Sequence, residues 1–251
     1  MTQNDPVLRD VLSDIKTLLQ ARSTSHRIAC VFDMDSTLFC VSTRTQAILR
    51  ELALEESFRA QFEEVSEHLK DVKVLPSDWG LKHALTRLKL EFPEKAMNAI
   101  RAFWREHFFS SAYLVHDILY EGSSEFIRMC EELQCEIFYL TGRSDRLMRR
   151  GSLDQLKRHE FPLKRPEHLI MKTEDEQNDE DFKLNRMRSL AEDFDEVYFF
   201  ENEPVIVDSI RKELPQVKII FMDSTHSSRM PTPLDLPRIT PDSFLGFKKR
   251  P

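Results

Sequence analysis

Ile28-Ala29-Cys30-Val31-Phe32-Asp33-Met34-Asp35-Ser36-Thr37-Leu38 begins with five apolar residues and ends in two carboxylates spaced by one residue, then two hydroxyls. The apolar run is too short for a helix and is apolar on both faces. It predicts a strand at the centre of a parallel sheet. In open α/β sheets, ligands bind beyond the carboxyl ends of the strands, and Asp33 and Asp35 fall at that edge. Side chains at i and i+2 on an extended backbone point the same way, so both carboxylates can face one site. Two adjacent like charges then need a cation to neutralise them, or a proton on one of them.

Such a pair suits phosphoryl transfer. One carboxylate can attack phosphorus. The other can protonate the leaving oxygen and later activate water. A hard divalent cation would bridge carboxylate and phosphate oxygens. Turn capping by Asp33 and Asp35 is the alternative reading of the same residues.

With 251 residues, 41% hydrophobic and 31% charged, the chain suits one soluble domain with a large insertion, or two modest domains. A net charge of -7 argues against a general nucleic-acid binder. No apolar run approaches membrane-spanning length, and the first residues lack the pattern of a secretory signal. The expected location is the cytoplasm. The four cysteines, Cys30, Cys40, Cys130 and Cys135, form no CxxC pair and are expected as buried free thiols. Among five glycines no phosphate-cradling loop can be assembled, and the eight histidines offer no HxxxH spacing.

Asp5-Pro6 predicts a helix start, and apolar residues at helical spacing carry that helix over 6–22. From 45 to 113 the pattern is helical, punctuated by Pro76 and Pro93, and reads as four helices in a cap-like insertion. Phe103, Trp104, Phe108 and Phe109 are expected in its core. From Gly122 onward, strands and helices alternate: strands at 136–140, 168–171, 196–200 and 218–222, helices at 145–158 and 182–192. The fold class is therefore α/β, a Rossmann-like parallel sheet with helices on both faces. Its domains are a core of 1–44 and 114–251 around an inserted helical cap of 45–113. The proline-rich tail is expected to be irregular. Each polar cluster follows a strand, so all should line one edge of the sheet.

These residues resemble the haloacid dehalogenase superfamily, most of whose members are phosphatases. Asp33-Met34-Asp35-Ser36-Thr37 looks like its DxDxT motif. Thr141, in Tyr139-Leu140-Thr141-Gly142-Arg143, looks like the second motif, where a hydroxyl donates to a phosphoryl oxygen. Lys183 looks like the third, with Lys172 the other candidate. Glu201-Asn202 stand where family members usually carry aspartates.

The resemblance implies Asp33 as nucleophile, Asp35 as general acid/base, and Thr141 and Lys183 as further catalytic residues. Mg²⁺ would be held by Asp33, Asp35 (through its main-chain carbonyl), Glu201 and Asn202. Ser36, Thr37, Arg44, Gly142 and Arg143 are expected as substrate contacts. The expected substrate is a small phosphorylated molecule, with no nucleic-acid or membrane partner. Phosphotransfer through the same aspartyl-phosphate intermediate remains open, as does a non-catalytic binding role. Asp223, Ser224 and His226 end the fifth strand at the same edge, and Asp208 is expected on the surface.

Overall fold

The strand Ile28–Phe32 (β1) is buried at all five positions because helices cover both faces of the sheet it centres. The structure, a computed structural model, describes residues 5–21 and 26–248. Ahead of β1 lies helix α1 (Pro6–Ala21), whose first turn is capped by the Asp5 carboxylate accepting from Val7 N at 2.9 Å. The end expected at residue 22 lies outside the described residues.

After β1, the short strands β2 (Phe39–Cys40) and β3 (Ile118–Leu119) pair antiparallel and bracket a helical insertion. It holds α2 (Ser42–Leu52), α3 (Glu56–Gln61), α4 (Glu63–Lys70), α5 (Gly80–Arg87) and α6 (Glu94–Phe108), then a 3₁₀ turn over Ser111–His116. Five helices stand where four were expected, because the chain breaks at Phe62 (φ −138°, ψ 54°) between α3 and α4. The first helix starts at Ser42, so the expected boundary at residue 45 falls inside it. The insertion has its own apolar cluster, including Leu49, Leu69, Leu81 and Ile100.

Then come α7 (Ser123–Glu132), β4 (Glu136–Ser144), α8 (Asp145–Arg158), β5 (Leu169–Lys172), α9 (Asp179–Asp193), β6 (Glu196–Glu201), α10 (Pro204–Glu213), β7 (Lys218–Met222) and β8 (Arg238–Ile239). The sheet order is β5-β4-β1-β6-β7-β8, and every pairing is parallel. Alternate residues divide cleanly between its faces. Cys30, Tyr139, Phe200 and Ile220 join α1 and α7 in one apolar cluster. Val31, Leu140, Phe199 and Phe221 join α9 and α10 in the other. Two buried faces with period-two alternation explain why each strand reads as a continuous apolar run.

The tail departs from expectation. It supplies β8 and a 3₁₀ turn over Pro241–Phe247, and Phe244 and Phe247 are buried against Phe126. Gly122 makes this closure possible: its φ is +90°, and a Cβ there would lie 2.0 Å from the Phe244 carbonyl oxygen. All four cysteines are buried free thiols. Among the described residues no helix is long and apolar enough to cross a membrane.

Candidate active site

The carboxyl ends of β1, β4 and β6 and the first turns of α9 meet at one edge of the sheet. After β1 the chain doubles back. Leu38 N and Phe39 N donate to the Met34 carbonyl at 2.9 and 3.1 Å, and Ser36 N donates to the Phe39 carbonyl at 2.7 Å. Ser36 takes the left-handed conformation this turn requires, with φ +64°. Its carbonyl accepts from Ser224 Oγ at 2.5 Å, which ties the turn to the end of β7.

Lys183 sits one turn into α9. Asn178 caps that helix through its Oδ1, which accepts from Glu180 N at 2.7 Å and Asp181 N at 3.2 Å. Three acidic residues in the first turn suit the positive end of the helix dipole. Lys183 points the other way, into the sheet edge, and is only 3% exposed. Its Nζ donates to Asp33 Oδ1 at 2.6 Å and to Glu201 Oε2 at 2.7 Å. Burial would lower the ammonium's proton affinity, but Asp33 and Glu201 override it and hold it well above the ordinary value. Burial raises the Asp33 carboxyl against the pull of Lys183, and it raises Glu201 to about 7 against the same pull. Lys172, the other candidate, is occupied elsewhere, with its Nζ on Asp179 at 2.6 Å and on the Gln177 carbonyl at 3.1 Å.

Both Glu201 oxygens are engaged. Besides Lys183 on Oε2, its Oε1 accepts from the main-chain N–H of Asn202 and of Glu203, both at 2.9 Å. Asn202 is fixed at both ends: Nδ2 donates to the Thr225 carbonyl at 2.6 Å, and Oδ1 accepts from Thr37 at 3.2 Å. Thr37 is also within hydrogen-bonding reach of the Asp33 carboxylate. Among the described residues, no three His, Cys, Asp or Glu side chains are grouped to hold a metal ion. The donors at this edge are nevertheless all oxygens, and Asp33 with the Asn202 amide oxygen suits a hard divalent cation. Glu201, bonded as it is, suits the role of counter-ion to Lys183.

Asp35 belongs to a different cluster. Its Oδ1 accepts from Arg44 Nη2 at 3.2 Å, from Arg143 Nε at 3.0 Å and from Arg143 Nη2. Burial alone would raise this carboxyl, but Arg143 and then Arg44 hold it well below the usual carboxylate range. Arg44 corrects an expectation, whereas Arg143 lines the cavity. Arg44 is 0% and Arg143 3% exposed, and their donors go to Asp35, Asp117, Ser152, Gln155 and the Phe108 carbonyl. Fully buried and turned onto Asp117 and Asp35, Arg44 does not line the cavity and is not placed to grip a substrate. Thr37, 0% exposed, is likewise a support for Asn202 and not a substrate contact. Thr141, Gly142 and Ser36 do line the cavity. Gly142 lets the chain pass Asp179, whose carboxylate oxygen would lie 2.7 Å from a Cβ at that position.

A cavity of about 1210 Å³ opens above this edge, and its far wall is the insertion. Trp79, Trp104, Phe108 and Phe109 line it, as do Lys82, Lys89 and Arg105. Three of the four aromatics expected in the insertion's core therefore line the cavity, Trp104 and Phe108 from α6 and Phe109 just beyond its end. Phe103 and Trp104 also pack against the insertion's apolar cluster, as expected, so Trp104 serves both core and wall. Trp104 stacks on Phe108 at 4.6 Å between centroids and donates from Nε1 to Thr45 Oγ1 at 3.1 Å.

Asp117, Asp78 and the basic wall were not singled out from the sequence. Asp117, next to β3, carries no motif; only its place at the return from the helical segment could have drawn notice. Other candidates lie apart. Asp208 pairs with Lys212 at 2.7 Å and Asp223 with Arg238 at 2.8 Å. His226 accepts from Ser228 N at 3.1 Å and does not line the cavity.

No family model matches the chain, and no curated protein matches it. Among solved structures, it is similar to a predicted phosphoglycolate phosphatase from Haemophilus somnus, at 11% identity over 89% of this chain and 98% of that one, with a TM-score of 0.49. A HAD hydrolase of family IA from Entamoeba histolytica aligns at 14% identity over 81% and 85%, with a TM-score of 0.45. A protein titled Protein Tyrosine Kinase A from Mycobacterium tuberculosis aligns at 11% identity over 86% and 94%, with a TM-score of 0.49. At such identities the chemistry must be read from this chain's own residues.

Proposed function

We propose that this chain is a Mg²⁺-dependent phosphatase of the haloacid dehalogenase type, hydrolysing a phosphomonoester through an aspartyl-phosphate on Asp33. The observation that carries the reading is Lys183 held between Asp33 and Glu201 at the floor of a deep cavity. A buried ammonium there neutralises the nucleophile, keeps one of its oxygens in place and faces arriving phosphate charge. Asp33, the main-chain carbonyl of Asp35 and Asn202 would hold Mg²⁺. When bound, it would offset the charge shared by the nucleophile and the phosphoryl group.

The other Asp33 oxygen attacks phosphorus, the ester P–O bond breaks, and Asp35 gives a proton to the departing alkoxide. A phosphate dianion docked beside Asp35 raises its proton affinity against the two arginines. Water then attacks the aspartyl-phosphate, Asp35 takes up its proton, phosphate leaves and Asp33 is restored. Thr141 donates its hydroxyl to a phosphoryl oxygen, while Ser36 and Gly142 border the same space. The insertion between β2 and β3 acts as the cap that carries the substrate's organic part on its aromatic and basic wall.

We place the protein in the cytoplasm, where four buried free thiols are at home, acting on a small phosphorylated molecule with no nucleic-acid or membrane partner. A purely binding role gives no use for both Asp33 and Asp35, which a hydrolase needs. The test is phosphate release from a panel of phosphomonoesters, with Mg²⁺ and with EDTA, for wild type and Asp33→Asn. Release that needs metal and disappears in Asp33→Asn is expected. Release by Asp33→Asn at the wild-type rate would sink the assignment.

A further inference from the structure

We infer that Asp117 is a positioning residue for Asp35, acting through a buried clamp built across the junction of sheet and insertion. The inference rests on the phosphatase reading above. Asp117's side chain is fully enclosed. It grips Arg44 with both oxygens, accepting from Nε at 2.8 Å and from Nη2 at 2.5 Å. This is the bidentate fork that fixes a guanidinium in direction as well as distance. Its Oδ2 also accepts from Gln155 Nε2 at 2.9 Å and from Arg143 Nη2 at 3.3 Å. Gln155 in turn accepts from Arg143 Nη1 at 2.8 Å, beside Ser152 Oγ at 3.0 Å. Two arginines and two aspartates thus close a charge-balanced network in which each guanidinium has one hand on Asp117 and one on Asp35.

The clamp holds a single oxygen of Asp35. Arg44 and Arg143 both donate to Oδ1, and among the described residues Oδ2 takes part in no hydrogen bond. The Asp35 side chain remains 30% exposed and lines the cavity. Oδ2 is therefore the oxygen that exchanges the proton with the leaving group and with water. Asp117 supplies no atom to the reaction. It sets the two guanidinium planes, and they set the direction of Oδ2.

The placement along the chain adds a consequence. Arg44 lies in the first turn of α2, where the chain enters the insertion, and Asp117 lies immediately before β3, where it returns. Arg143 belongs to β4, in the sheet. Arg44 also donates to the Phe108 carbonyl at 3.2 Å, and its guanidinium lies 4.5 Å from the Phe108 ring centroid, under the aromatic wall. The orientation of the proton-transferring carboxylate is thereby tied to the seating of the insertion on the sheet.

The experiment compares kcat and KM for two esters that share a phosphoryl group and differ in leaving group, with Mg²⁺ present. 4-Nitrophenyl phosphate departs as a stable anion, whereas ethyl phosphate leaves an alkoxide that needs a proton. General acid catalysis is worth about 10²–10⁴-fold where a proton is needed, so a misdirected Asp35 is felt on the alkyl ester. For Asp117→Asn, kcat on ethyl phosphate should fall about tenfold or more, with no more than about a threefold change on the aryl ester and KM nearly constant. Equal losses on both esters, or none on either, would overturn the proposal.

Should Asp117→Asn fail to fold by circular dichroism, Gln155→Met carries the same test. It removes a donor from Asp117 and an acceptor from Arg143, and should show the same selectivity at smaller size, while equal losses would again refute the clamp. Asp33→Asn runs alongside. If it turns over both esters like wild type, the phosphatase reading falls; if it is inactive while Asp117→Asn shows no selectivity, only the clamp falls.

Discussion

At the sheet edge Lys183, Asp33 and Glu201 are 3%, 4% and 1% exposed, and each bonds another charged group. Across the cavity Lys82, Lys89 and Arg105 are exposed and make no ion pair among the described residues. The floor is built from charges that were desolvated on folding, and it holds only while each keeps its partner. The wall is built from charges that water still solvates and that cost little to change. Floor residues therefore govern turnover and stability together. Wall residues govern which substrate stays.

The comparison breaks most visibly at Lys183. Lys183→Met leaves two buried carboxylates facing each other, and unfolding stability should drop by about 3–5 kcal/mol, with phosphate release lost. Urea denaturation followed by circular dichroism measures the first effect. If the variant is as stable as wild type, the floor is not held together by its charges.

Within the floor, Asn202 and Glu201 should separate. Asn202→Ala is expected to raise the Mg²⁺ concentration for half-maximal activity by about tenfold or more, as loss of a ligand or its support does. Glu201→Gln, which keeps an acceptor for the main-chain N–H groups, should shift it less. A Mg²⁺ titration of activity decides, and the reverse order would make Glu201 the metal-side residue.

On the wall, Arg105→Ala should raise KM by a few-fold, about what an exposed ionic contact contributes, and leave kcat unchanged, the mark of binding shared by ground and transition states. Added salt should shrink the difference between variant and wild type. A fall in kcat at constant KM would place Arg105 in the chemistry.

The smallest effect expected is a pH dependence carried by Asp78, which the insertion holds against Arg87 with contacts of 2.7, 2.8 and 3.0 Å. Burial would raise this carboxyl, but the hydrogen bonds from Arg87 and from Leu75 N bring it below 3.8. A group whose folded value is depressed contributes stability above its unfolded value and loses it as pH falls through the folded one. Wild-type stability should therefore decline below about pH 4, and Asp78→Asn should flatten that decline. Thermal unfolding between pH 3 and 6 follows it (order-of-magnitude window), and an equally steep decline in Asp78→Asn would remove Asp78 from the account.

Much of the floor was legible along the chain, and the reason is local. β1, β4 and β6 are covered on both faces, so their apolar runs are continuous and their polar ends stand out. The residues just beyond those runs, Asp33, Thr141 and Glu201, are placed by strand geometry alone. Lys183 needed more, since Lys172 was also near a strand end. Asp179, seven residues on, captures Lys172, while α9 turns Lys183 inward. The wall was missed because helical spacing does not separate a side facing a core from one facing a cavity: Phe108 lines the cavity, and Trp104 touches both. The tail was misread because a two-residue strand and a short 3₁₀ turn, set in a proline-rich stretch, leave no period to detect.

The sequence by itself determined the parallel sheet, the helical insertion and the edge at which the carboxylates gather, because these follow from periodicity and from the direction of side chains on a strand. Tertiary structure alone decided the partners: Arg44 and Arg143 with Asp35, Asp117 between them, Glu201 with Lys183. Ion pairing depends on distances of a few ångströms between residues as far apart in the chain as Asp33 and Lys183, and only the folded chain brings them within reach of each other.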